Sequence, residues 1–325
     1  RAGAVQYIRP EIIGLLLGAT IAALAFREFR ARSGSAPLVR YVLGVFAMIG
    51  ALAFLGCPWR ALLRLSAGDL NAVVGLAGLA GGIGLGVLFL RSGYSLGRAQ
   101  RAPAAVGWIM PAAMVGLLLF LIARPVFAEG GPIFFSESGP GSMHAPLLIS
   151  LGAGLAIGFL AQRSRFCTMG AVRDVILMGD THLLSGVAAL VVVAAVTNLA
   201  LGQTRVGFAA MPVAHSSLLA NFGGMVLAGL AFSLAGGCPG RQLFLAGEGD
   251  ADAGVFVLGM ITGAGLAHNW NLAGRPDALV DGALQVGGLS VHGLWAVALG
   301  IVVCVGIGLT MRERATQGGA AWQGR

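Results

Sequence analysis

Nine apolar runs dominate the chain, and each approaches the length of a bilayer crossing. They lie at residues 11–27, 38–56, 72–90, 104–123, 147–162, 183–201, 219–236, 254–270 and 290–310. A helix that spans the hydrocarbon core needs roughly 20 apolar residues, within a range of about 17–25. Inside that core every backbone polar group must be paired, which leaves helices or a closed barrel. Continuous apolar runs, rather than two-residue alternation, select the helix. The expected fold is all-α: a polytopic membrane protein of about nine transmembrane helices. Charged residues make up only 10% of the chain, against about a quarter in a soluble domain. The net charge of +8 therefore does not point to nucleic acid.

That charge is carried by arginine alone; the chain has no lysine, and so no Schiff-base or general-base lysine. Arginine placement orients the spans, because cytoplasmic loops collect positive charge. With the N-terminus outside, the inner segments are 27–40, 91–103, 163–182, 237–253 and the tail after 310. They hold 14 of the 21 arginines. The expectation is N-terminus out and C-terminus in, although Arg60 and Arg64 fall on the outer side.

The chain also repeats itself. Residues 56–85 align without a gap on residues 237–266, at an interval of 181. The match pairs Gly56 with Gly237, Cys57 with Cys238, Pro58 with Pro239, Arg60 with Arg241, Gly68 with Gly249 and Asp69 with Asp250. Glycine and leucine match easily in an apolar chain, but Cys-Pro-x-Arg followed by Gly-Asp in register does not. A weaker match links Gly18–Arg27 with Gly154–Arg163, and "RSGYS" at 91–95 with "RSRFC" at 163–167. In the assigned orientation the first Gly-Cys-Pro lies toward the outside and the second toward the inside. The repeat is then inverted, with pseudo-twofold symmetry. Inverted repeats with broken helices around a central site are a common plan for secondary transporters.

Proline suits the first turn of a helix. Cys57 and Cys238 are thus expected at the N-termini of short, re-entrant helices, 58–66 and 239–246. Unpaired N–H groups and the helix dipole favour an anion there, and Arg60 and Arg241 add charge. A polarisable sulfur beside an anion-attracting helix end suits a small anion with a soft atom of its own. Free cysteine is also a common small packing residue; the duplication argues against that reading. A third cysteine, Cys167, sits among Arg163, Arg173 and Asp174 in a stretch otherwise read as a positively charged inner loop. Cys304, in "IVVCVGIG", has no polar company and reads as packing.

Glu248, Asp250 and Asp252 follow the second unit. With Asp174, Asp180 and Arg241 they are read either as an inner network serving proton or ion coupling, or as a solvated loop and a helix start. The histidines (144, 182, 215, 268 and 292) have no zinc spacing, so no metal is expected, and no nucleotide motif implies a cofactor. Gly78, Gly82 and Gly86, with Gly259 and Gly263, read as helix-packing positions.

The stretches "RSRFCTMGAVRD" and "GGCPGRQLFLAGEGDADA" and the duplicated Gly-Cys-Pro resemble the YeeE/YedE membrane proteins, which include thiosulfate-uptake transporters. The run "SMHAPLLISLGAGLAIGFLAQRSRFCTMGAVRD" resembles the branch linked with selenium metabolism. The resemblance, from about residue 10 to 310, implies a bacterial inner-membrane protein with a narrow path. It further implies that cysteines along that path pass the anion on by S–H···S contacts without covalent change. By motif this falls on Cys57, Cys167 and Cys238; Ala31 and Ser95 stand where a fourth cysteine would fit. It also implies a small cytosolic sulfurtransferase-like partner.

The expected organisation is a single transmembrane domain over 1–325. Its first repeat is 10–103 and its second 147–270. A connecting span and outer loop occupy 104–146, and the last span and cytoplasmic tail 290–325. The expected function is import of a small selenium- or sulfur-containing anion, of selenite or thiosulfate type. Cys57, Cys238 and Cys167 line the path, and Arg60, Arg163 and Arg241 offset the charge. Glu248, Asp250 and Asp174 are the candidates for coupling. The alternative is a membrane thiol carrier enzyme that hands sulfur or selenium to the cytosolic partner; a third reading is a docking anchor.

Overall fold

The computed structural model describes residues 7–123, 142, 144–280 and 283–312. Most of the loop at 124–146, expected on the outer side, and the tail beyond 312 lie outside the described residues. Twelve helices are described: α1 (Pro10–Ala25), α2 (Pro37–Ala53), α3 (Pro58–Ser66), α4 (Asn71–Arg91), α5 (Ala104–Ala123), α6 (Leu147–Ser164), α7 (Thr168–Met178), α8 (His182–Ala200), α9 (Leu218–Ala235), α10 (Pro239–Gly247), α11 (Ala251–Asn269) and α12 (Val291–Thr310). Two small antiparallel ribbons close the ends. One pairs β1 (Arg32–Ser33) with β2 (Gln100–Arg101), the other β3 (Ala278–Val280) with β4 (Ala283–Gln285).

Counting a broken helix as one, eight of the described helices are long and apolar enough to cross a membrane. The ninth run is α1, at 16 residues. The runs seen in the sequence thus reappear within a few residues of their expected limits. The difference lies at 163–182. Those arginines suggested an inner loop, but Thr168–Met178 is helical, with Cys167 as its N-cap.

Three long helices break and restart: α2 into α3, α6 into α7, and α9 into α10. Each break has a local cause. Leu55 (φ 65°), Arg165 (φ 52°) and Gly236 (φ 82°) turn left-handed and end the helix before. Pro58 and Pro239 then start α3 and α10 from the first turn, where a missing N–H costs nothing. The residue immediately before each new helix is a cysteine: Cys57, Cys167 or Cys238.

The interval of 181 is visible in the contacts. Helix α4 packs on α9, as α11 packs on α2. A side chain at Gly78 or Gly82 would strike the backbone oxygens of Phe222 and Val226. At Gly259 or Gly263 it would strike those of Tyr41 and Val45, in each case 181 positions away. The short helices close alike. Ala67 O accepts from Arg205 N at 2.9 Å and Glu248 O from Arg30 N at 2.9 Å. Gly68 (φ 97°) and Gly249 (φ 95°) hold the same left-handed turn. Backbone contact without an intervening side chain maximises close packing where no hydrophobic drive separates helix from lipid.

These seams carry a testable consequence. Gly82→Ala and Gly263→Ala are each expected to lower stability by about 1–3 kcal/mol, as overpacked sites do. Gly81→Ala, whose added methyl meets nothing within 4 Å, is expected to be neutral or to gain up to about 1 kcal/mol of helix propensity. Unfolding in bicelles would measure all three, and equal effects at positions 81 and 82 would refute the seam.

Helix α9 is the centre. Most of its residues are buried, among them Phe232, Leu227 and Leu230. Helix α8 has no buried residue and forms the apolar periphery. Cys304 on α12 is fully buried within the main apolar core, in keeping with a packing role.

Candidate functional site

The three helix breaks converge. The thiols of Cys167 and Cys238 are neighbours, and Cys57 lies near Cys238. All are free thiols. Cys238 is fully buried and Cys167 is 5% exposed. The two Gly-Cys-Pro units, distant in sequence, therefore come close to each other. Their approach is marked by Trp59 of α3. A side chain at Gly240, the second residue of α10, would come within 2.8 Å of the Trp59 ring.

Backbone N–H groups surround these sulfurs. Gly170 N donates to Cys167 Sγ at 3.2 Å, so this thiol closes the N-cap of α7. Cys57 is faced by the N–H groups of Trp59 and Arg60, and Cys238 by that of Arg241. Neither of these closes a well-formed cap hydrogen bond. Helices α3 and α10 thus begin with N–H groups still available, the condition under which a helix end takes an anion.

Aromatic rings enclose the cluster. Trp59 lies edge-on to Phe166 at 5.6 Å and tilted to Phe244 at 5.9 Å. Trp59 Nε1, Thr168 Oγ1 and Gln242 Oε1, all in this region, are buried with no hydrogen-bond partner among the described residues. The Thr168 hydroxyl faces the Cys238 sulfur. Trp59, Phe166, Thr168 and Phe244 were not singled out by sequence reasoning. Their signal was adjacency: Trp59 stands two residues after Cys57, and Phe166 and Thr168 flank Cys167.

The charged residues divide. Arg60 is half-buried and folds back over Gly56, and Arg241 similarly packs over Gly237. Arg163 is directed elsewhere: it pairs with Glu28 at 3.1 Å and stacks on Phe26 at 3.9 Å. The hydrogen bond from Gln162, and then Arg163 itself, hold the Glu28 carboxyl below the usual range.

The acidic group is not a solvated loop. Glu248 and Asp252 are 7% and 1% exposed. Glu248 pairs with Arg241 at 3.3 Å and more loosely with Arg32 at 3.9 Å. Asp250 binds Arg32 Nε at 2.7 Å and caps α11 through Ala253 N, as aspartate at a helix start does. Asp252 accepts from the N–H groups of Gly34 and Ser35. Asp174 instead pairs with its neighbour Arg173 at 2.7 Å, and Asp180 accepts from His182 N. The network therefore joins Glu248, Asp250, Arg241 and Arg32; among the described residues Asp174 and Asp180 make no ion pair or hydrogen bond with it. Among the described residues no cluster of His, Cys, Asp or Glu could hold a metal ion.

No curated protein matches the chain. Residues 163–323 match the family model described as sulphur transport. That match begins at Arg163 and takes in Cys167, Cys238 and the acidic group, while Cys57 lies in the half before it. An all-α membrane fold whose helix breaks gather thiols agrees with this match, and the chain belongs to the YeeE/YedE sulphur transport family.

Proposed function

We propose that this member of a sulphur-transport family is a permease for a small sulfur- or selenium-containing anion, of thiosulfate or selenite type. The observation that carries the proposal is the convergence of three broken helices on three thiols. The anion meets Cys57 first, then Cys238 and Cys167. Its charge is offset by the first N–H groups of α3 and α10, and its soft atom accepts S–H contacts in turn. No covalent bond forms. The weak contacts let the ligand leave as readily as it arrives, as conduction requires.

The contacts repeated at an interval of 181 support an inverted pair of repeats, 10–103 and 147–270, in one transmembrane domain. We place the chain in the bacterial inner membrane with the N-terminus outside. Glu248 and Asp250 then lie toward the inner face, where a small sulfurtransferase-like protein would collect the cargo. The selenium branch is favoured only by the sequence run before Asp174.

The test is uptake of radiolabelled thiosulfate and selenite into proteoliposomes, for the intact chain and Cys238→Ser. One label is expected to enter and to fall to the level of empty liposomes in the variant. Uptake that survives in the variant would remove Cys238 from the path. One observation favours the carrier-enzyme reading as a second: Cys167 and Cys238 are adjacent, as a relay of covalently held sulfur would need. A persulfide on either residue after exposure to thiosulfate, found by mass spectrometry, would favour that reading.

A further inference from the structure

The two Cys-Pro-x-Arg units match in sequence but differ in charge balance. Arg241 is paired with Glu248 at 3.3 Å, and its side chain is 12% exposed. The position equivalent to Glu248, 181 residues earlier, is Ala67. Arg60, the counterpart of Arg241, accordingly has no ion pair and no side-chain hydrogen bond among the described residues. The charged groups nearest to it are cationic and already engaged elsewhere. Arg64 is bound to Asp69 at 2.7 Å, and Arg9 lies 3.6 Å from Glu11. Among the described residues, the Cys57 thiol is the remaining group beside Arg60. A half-buried guanidinium without a counter-ion is costly unless something anionic completes it. The same backbone that joins Arg241 to Glu248 is present at Arg60, with the acid deleted.

We propose that Arg60 is the guanidinium that takes the anion's charge, and that Glu248 holds Arg241 as a neutral pair. The path is then electrostatically lopsided. The ligand is captured at the α3 end, beside Cys57, and is not held by charge at the α10 end. This rests on the permease reading and adds a direction to it: strong attraction at one mouth, and release past a compensated arginine at the other. Both units share a helix N-terminus and a thiol, so the deleted acid is what separates them.

The experiment titrates the purified full-length chain with sodium thiosulfate and, separately, sodium selenite, following binding by calorimetry. Arg60→Gln is expected to weaken binding of the better ligand about tenfold or more, the scale of a lost charge-assisted hydrogen bond. Ala67→Glu gives Arg60 the partner that Arg241 has, and is expected to weaken binding as much without removing the cation. Glu248→Gln frees Arg241 and is expected to tighten binding and slow release in uptake assays. Thermal unfolding of each variant separates these effects from misfolding. Affinity unchanged in both Arg60→Gln and Ala67→Glu overturns the proposal, even if the intact chain transports. Binding that obeys the pattern without uptake leaves the asymmetry standing and removes the permease reading. Absence of binding in the intact chain overturns both.

Discussion

Asp69→Asn is expected to destabilise the folded chain by about 3–5 kcal/mol, the cost of stripping one partner from a buried ion pair. Arg64 and Asp69 are 7% and 3% exposed at their side chains and bind through Nε and Oδ2 at 2.7 Å. Arg64 also donates to Phe54 O at 2.9 Å and lies over the Phe54 ring at 4.2 Å. Asparagine keeps the oxygen that accepts from Asn71 N at 2.9 Å, so the turn into α4 is preserved and only the charge is lost. The guanidinium is left with no counter-ion among the described residues. The repeat supplies the control. Asp250 occupies the equivalent position, but its partner Arg32 is 38% exposed. Asp250→Asn is expected to cost less than about 1 kcal/mol, as exposed pairs do, because asparagine caps a helix as well as aspartate. Unfolding of both variants in bicelles decides the matter. Equal losses would mean that burial of the first pair is not what holds it.

Mild oxidation is expected to abolish uptake. Cys167 and Cys238 are within reach of each other, so diamide, taking up the two thiol hydrogens, would leave a disulfide between them. That bond would tie the break of α6 and α7 to the break of α9 and α10 and remove two of the three thiols. Transport is expected to fall to the level of empty liposomes and to return on reduction. Cys167→Ser is expected to yield no such link under the same treatment. Peptide mapping without reductant would identify the linked pair. A link between Cys57 and Cys238, or none at all, would contradict the arrangement.

The spans were legible in the sequence because each run is apolar and long, and hydrocarbon permits little else. The starts of α3 and α10 were legible because proline fixes the first turn of a helix whatever surrounds it. The glycines at 78, 82, 259 and 263 were legible as packing positions from their spacing, although not the helices they would touch. The meeting of Cys57 and Cys238 was hidden, since it depends on which helices cross. The signal for that crossing is a surface shape, not a residue type. Helix α7 was hidden by Arg163, Arg165 and Arg173 in and before it, which fit an inner loop as well as a helix. The pairing of Arg241 with Glu248 spans one short helix and was only half-legible. Both residues were noticed, but as members of a wider group that the fold divides.

The glycine seams bear on how the molecule can move. Helices that touch backbone to backbone at several consecutive turns cannot slide without first separating. Helices α2, α4, α9 and α11, bound by such seams, therefore act as one stator. The short segments α3 and α7, each joined to its longer neighbour by a few residues, lie outside these seams, whereas α10 is itself held close to α1 at Gly247. A cycle built on this plan proceeds by small tilts of half-helices around a fixed frame. Its rate should accordingly respond to substitutions in the connecting turns at 54–57 and 165–167 far more than to bilayer thickness.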